Sequence, residues 1–98
     1  MPHYIILANF TDQGARNIRE LPKLLQANTQ RAAAMGLKIQ RFFTLGQYDL
    51  VVLVEAPTDE LATAGLLGIG SQGNIRTTTL KAFSEAEFVK IIEGLPSA

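Results

Sequence analysis

Three stretches of this chain are apolar at successive positions: Tyr4-Ile5-Ile6-Leu7, Phe42-Phe43 and Leu50-Val51-Val52-Leu53-Val54. Side chains alternate between the two faces of a strand, so an unbroken apolar run puts apolar surface on both faces of the sheet it joins. A chain of 98 residues has material for one core and little helix left to cover a second face. Whatever fold the chain adopts, it must hide that second face by other means.

Periodicity predicts the order strand, helix, strand, strand, helix, strand, helix. His3 to Phe10 is β-branched and aromatic and runs into the turn residues Thr11-Asp12-Gln13-Gly14. A helical stretch follows to about Met35, with Ile18, Leu21, Leu25 and Ala32 at helical spacing and Gly36 as its stop. Pro22 divides it: either a short turn over Arg16 to Arg19 precedes the main helix, or one helix kinks. Lys38 to Leu45 and Tyr48 to Glu55 read as strands joined by a Gly46-Gln47 turn, where glycine supplies the positive φ of a type II′ hairpin. Thr58 caps a helix from Asp59 to about Leu67, with Asp59 and Glu60 placed to suit its dipole. Asn74 to Phe83 is the fourth strand. Ser84 and Glu87 then stand at capping-box spacing before a helix whose stripe is Phe88, Ile91, Ile92 and Leu95. No linker or low-complexity run divides residues 1–98, which read as a single domain.

This order, βαββαβ with one helix appended, is the ferredoxin-like α+β arrangement. Right-handed crossovers put the first and third strands at the centre of an antiparallel sheet with helices on one face. The bare face should be polar, yet the runs above make it apolar. A large exposed apolar sheet marks an association surface, so the expected partner is a second copy, giving a homodimer or a higher homo-oligomer built from dimers.

The chain also resembles a known family. Thr11-Asp12-Gln13-Gly14, Thr44-Leu45-Gly46-Gln47-Tyr48-Asp49, Glu55-Ala56-Pro57 and Gly73-Asn74-Ile75-Arg76-Thr77 are similar, in this order and over nearly the whole chain, to the GYD domain family. The resemblance implies a ferredoxin-like dimeric α+β barrel. It implies no catalytic residues, because the family is functionally uncharacterised, and fold alone does not fix function.

Composition removes several function classes. Lys plus Arg equals Asp plus Glu at 9 each, and a zero balance argues against nucleic-acid binding, which needs a cationic excess. RNA recognition by this fold needs exposed aromatics on the central strands, and between Tyr48 and Glu55 the third strand offers only Asp49 and then Leu and Val. With no cysteine and His3 as the single histidine, thiolate or histidine-rich metal sites, iron–sulfur clusters and thiol nucleophiles are excluded. No metal and no cofactor is expected. No apolar run approaches a membrane span, and the start lacks a secretory pattern, so the expected location is cytoplasmic. The charge is unevenly placed: residues 13–48 carry six basic groups against Glu20 alone.

Two formal motifs read as bland. Gly68-Ile69-Gly70-Ser71-Gln72-Gly73 matches G-x-G-x-x-G, but it ends a helix and enters a strand, so a phosphate would meet the wrong end of the dipole. Asn9-Phe10-Thr11 is a glycosylation sequon without a secretory context. His3 reads as a solvated or locally paired histidine at a strand start.

The informative pair is Tyr48-Asp49. Aspartate is depleted from strands, and this one opens a run of five aliphatic residues. The proposed topology brings Tyr48 and Asp49 to one rim with Asn9 and Thr11 at the end of the first strand and Asn74 and Arg76 at the start of the fourth, with Arg16 one turn into the first helix. A ligand-binding rim would have Arg76 or Arg16 hold a small anionic group while Asp49 or Tyr48 moves a proton. The competing role is structural, a turn-capping carboxylate and a local salt bridge.

One histidine and no cysteine leave too few parts for a nucleophile–base pair. The reading favoured by the sequence is a small oligomeric binding or structural module without chemistry of its own. The alternatives are a cofactor-free enzyme acting on a small organic molecule between sheet and helices, and a regulatory module that senses a metabolite.

Overall fold

The computed structural model describes residues 1–97. Its elements are β1 (His3–Phe10), α1 (Asp12–Arg16), a 3₁₀ turn (Ile18–Glu20), α2 (Leu21–Ala34), β2 (Lys38–Phe43), β3 (Leu50–Glu55), α3 (Asp59–Ser71), β4 (Ile75–Ala82) and α4 (Glu85–Glu93). The strands form one sheet in the order β2-β3-β1-β4 with every neighbouring pair antiparallel. This is the expected ferredoxin-like α+β fold, with β1 and β3 central.

Register separates the two faces. Tyr4, Ile6 and Ala8 stand opposite Val54, Val52 and Leu50, and Tyr4, Ile6 and Val54 cluster with Ala56 and with Ala62 of α3 in the core. The small side chain of Ala62 lets α3 lie close on the sheet. The intervening residues form the other face: Ile5 opposite Leu53 and Leu80, and Leu7 and Phe42 each flanking Val51 or its neighbours. That face carries no helix, and Phe42 and Leu80 remain about half exposed, at 49% and 46%.

Helix α4 does not fold back over it. Ser84 caps α4 with the full capping box, its hydroxyl accepting from the Glu87 backbone N–H while the Glu87 carboxylate accepts from the Ser84 N–H. Beyond this turn the helix projects from the body, and Glu87 is its one residue that is not exposed. Phe88, Ile91, Ile92 and Leu95 therefore lie bare in a molecule 55 Å along its longest axis.

Three boundaries differ from expectation. The Gly46-Gln47 hairpin is not a two-residue turn: β2 ends at Phe43 and β3 starts at Leu50. Thr44 closes the longer loop by donating its N–H to Asp49 O and its hydroxyl to Tyr48 O, and Gly46 takes the positive φ (115°) inside it. Helix α3 continues past Leu67 to Ser71, because Leu66 and Ile69 pack toward the sheet and offset the helix cost of Gly68 and Gly70. The first helical stretch is broken, as one alternative had it, but earlier: Thr11 caps the single turn α1, and Pro22 sits in the first turn of α2, where its missing N–H costs nothing.

Candidate functional site

The rim of the sheet at the end of β1 is built by backbone groups that outrun the strands. Asp49 precedes β3, donates its N–H to Ala8 O at 3.0 Å, and accepts the Phe10 N–H on Oδ2 at 3.0 Å. The carboxylate thus supplies Phe10 with an acceptor that β3 is too short to offer. Thr11 is tied to the segment before β4 in the same way: its N–H donates to Asn74 O at 3.0 Å and its hydroxyl to Gly73 O at 2.6 Å, while Thr11 Oγ1 accepts the Gly14 N–H and so caps α1. Gln13 adds bonds from Nε2 to Gln72 O and Asn74 Oδ1. The approach is close enough that a Cβ on Gly14 would stand 2.0 Å from Asn74 O.

Of the residues singled out from sequence, Asn9, Thr11, Tyr48, Asp49, Asn74 and Arg76 fall at this rim, with different roles. Asn9 lies opposite Arg76 in register. Asp49, Thr11 and Asn74 are engaged in the bonds above. Tyr48 is half-buried, and its hydroxyl forms no hydrogen bond among the described residues. Arg76 and Arg16 are exposed and form no ion pair among the described residues. Arg16 shares no described bond with the rim.

Behind the rim, between the sheet and helices α2 and α3, lies a cavity of about 80 Å³. Ile6, Leu25, Val52 and Leu66 form its apolar walls, and Asn28, Arg41, Gln72 and Asn74 supply its polar groups. Arg41 was not singled out from sequence. Its signal is the alternation of β2, where Ile39 and Arg41 oppose Val54 and Val52 on the covered face, so a cation stands where that face calls for an apolar residue. Burial holds the Arg41 guanidinium below its ordinary pKa.

The opposite end of the sheet holds two charged clusters. The imidazole of His3 lies between carboxylates, Nε2 at 3.2 Å from Glu55 Oε1 and Nδ1 at 3.3 Å from Glu87 Oε1, so this histidine is locally paired. The Ser84 backbone N–H, then its hydroxyl, hold the Glu87 carboxyl below its ordinary range. Asp59 accepts from Lys81 Nζ at 2.7 Å and from the Tyr4 hydroxyl. Those bonds lower the Asp59 pKa and push that of Tyr4 up to about 12. Among the described residues no group of three or more carboxylates and histidines is placed to hold a metal ion, and no helix is long and apolar enough to cross a membrane. What these sites offer chemically is hydrogen bonding and ion pairing.

Comparison with known proteins agrees with the fold. The crystal structure of MtbAldR superposes with a TM-score of 0.63 over 86% of this chain at 15% identity, and this chain spans about half, 52%, of that one. The glutamine synthetase and cystathionine beta-lyase binding protein of Thermus thermophilus is 30% identical over 91 residues, which cover 91% of this chain and 96% of that protein. The GYD domain model matches residues 4–92. With a fold, a full-length relative and a family model in agreement, the chain belongs to the GYD domain family.

Proposed function

We propose that this protein is a binding module that works as a homodimer and takes an enzyme as its partner. The observation that carries the dimer is the uncovered apolar sheet face with the unpacked α4 beside it. Strands about 4.8 Å apart and rising about 3.3 Å per residue give a four-stranded face of roughly 400 Å² in projection. Helix α4, at about 1.5 Å per residue and about 10 Å across, adds roughly 130 Å² more. Side-chain relief raises accessible area above projected area, so face and helix together approach the roughly 800 Å² per partner of a stable interface. Two copies stacked on this face would close the sheets into an α+β barrel, with each α4 reaching across the other.

Support for an enzyme partner comes from the T. thermophilus relative, which is named for binding glutamine synthetase and cystathionine beta-lyase. A cytoplasmic setting fits a small domain without cysteine, since secreted domains of this size lean on disulfides. A second reading, a small anion held at the rim, is favoured by Arg76, which is exposed and forms no ion pair among the described residues.

Sedimentation velocity tests the proposal, first on the protein alone and then with glutamine synthetase or cystathionine beta-lyase from the same organism. The expected result is a species of twice the 10.7 kDa chain mass that co-sediments with one of the enzymes. Leu53→Lys, on the bare face, should abolish that species. A monomer at micromolar concentration overturns the dimer, and a dimer that ignores both enzymes overturns the partner.

A further inference from the structure

From a separate observation, which does not depend on the dimer or on an enzyme partner, we infer that the cavity between the sheet and helices α2 and α3 is a binding site for a small aliphatic monocarboxylate, with Arg41 as the group that receives its carboxylate.

The inference starts from a cation in an unusual place. Arg41 is half-buried on the helix-covered side of β2, opposite Val52. Its Nη1 donates to Thr29 Oγ1 at 2.9 Å, and it takes part in none of the ion pairs among the described residues. A guanidinium carries five N–H donors in a planar fork, so one hydroxyl leaves most of that capacity unused. Taking such a group partly out of water is unfavourable unless an anion compensates, and its depressed pKa reflects the same burial. A planar carboxylate is the complement the fork is shaped for.

The surroundings define the rest of the ligand. The walls are aliphatic, from Leu25 of α2, Val52 of β3 and Leu66 of α3, and they suit an unbranched or branched hydrocarbon body. The volume of about 80 Å³, at roughly 10–15 Å³ for each water-sized occupant, admits a molecule of about six or seven heavy atoms. On the helix side Asn28 and Gln72 supply polar groups: Gln72 Nε2 donates to Asn28 Oδ1 at 3.1 Å, and that oxygen also receives Arg31 Nη1 at 3.4 Å. This places a second cation near the Asn28 side of the cavity, and α2 itself contains no acidic residue. The field at the site therefore favours an anion. Apolar walls around a few convergent polar groups are the usual make-up of a small-molecule site.

The competing role for Arg41 is a plain tether between β2 and α2 through Thr29. The test uses isovalerate and its uncharged isostere isovaleramide. Thermal unfolding of the full chain is followed with each, and amide chemical shifts are recorded during the titration. Isovalerate should raise Tm saturably, and the shifts should centre on Leu25, Asn28, Arg41, Leu66 and Gln72. Isovaleramide should do neither. Arg41→Gln should weaken isovalerate binding at least tenfold, while Lys90→Gln, on the exposed helix α4, should leave it unchanged. Should Arg41→Gln fail to fold, Arg41→Lys, which keeps the charge but loses the fork, should bind measurably more weakly than the parent. The inference is overturned by no response at tens of millimolar isovalerate, by an equal response to the amide, by shifts centred on the rim, or by unchanged binding in the Arg41 variants.

Discussion

Removing the Asp49 carboxylate isolates one bond whose worth follows from its surroundings. Asp49 Oδ2 accepts the Phe10 N–H at 3.0 Å in a part-buried setting, while the Asp49 backbone separately holds Ala8 and Thr44. Asp49→Ala leaves those backbone bonds in place and deprives Phe10 of its acceptor. A hydrogen bond to a charged group contributes about 1.5–3 kcal/mol. Partial exposure lets water take up the freed N–H, so the expected loss is about 1–2 kcal/mol. With an unfolding entropy of about 2.1 cal/mol/K per residue, a chain of this length loses about 5–10 °C in Tm. Asp49→Asn keeps a carbonyl acceptor and loses only the charge, so its cost should be about half as large. Tyr48→Phe removes a hydroxyl with no described partner and should stay within about 0.5 kcal/mol of the parent.

The assay is denaturant and thermal unfolding of the three variants beside the parent, at one fixed protein concentration, because association adds to apparent stability. If Asp49→Ala matches the parent within about 0.3 kcal/mol, the structural role of the carboxylate is refuted, and Asp49 is then free to serve a ligand at the rim. A Tyr48→Phe loss as large as that of Asp49→Ala would refute the reading of Tyr48 as unbonded.

Two further outcomes follow from the same contacts. Gly14→Ala should gain about 1 kcal/mol in helix propensity and lose more than that, about 1–3 kcal/mol or above, because its Cβ would stand 2.0 Å from Asn74 O; chemical denaturation reads the net loss, and a stabilised variant would mean that α1 is free to shift. The Glu87 carboxyl is held below its ordinary pKa of 4.5 by Ser84, so its contribution is fully present above that value and is lost as pH falls through the depressed one; far-UV circular dichroism should show α4 fraying on acidification, and Glu87→Gln should flatten that part of the profile.

The fold was legible because its signals are local and agree with one another. Ser84 and Glu87 at capping-box spacing, Thr58 before Asp59 and the unbroken Leu50–Val54 run each point to the element that forms there. Where reading failed, a longer-range bond decided. Gly46-Gln47 carries a hairpin signal, but Asp49 gives its N–H to Ala8 and its carboxylate to Phe10, and Thr44 closes the loop from the other side. No local rule weighs a partner some forty positions away. Likewise Gly68 and Gly70 argue for a helix end, and tertiary packing of Leu66 and Ile69 carries the helix past them.

The two candidate sites differ in legibility for a related reason. Rim residues declare themselves as polar groups next to an apolar run, so Tyr48, Asp49 and Arg76 could be found without knowing what they touch. Arg41 is one basic residue among six in residues 13–48 and looks like any solvated charge. It becomes distinctive only when the register with β3 sets it opposite Val52, on the face where Val54 and Leu50 are buried. A one-residue slip in β2 would move Arg41 to the bare face and Phe42 to the covered one, exchanging a cavity with a cation for a filled core. Pairing of Phe43 with Leu50 at the mouth of the 44–49 loop fixes that register. The Gly46-Gln47 turn expected from sequence implies this same register, since pairing Leu45 with Tyr48 also sets Phe43 opposite Leu50 and Arg41 opposite Val52; insertion or deletion of one residue within 44–49 is therefore the change that would carry the half-buried Arg41 away from the cavity.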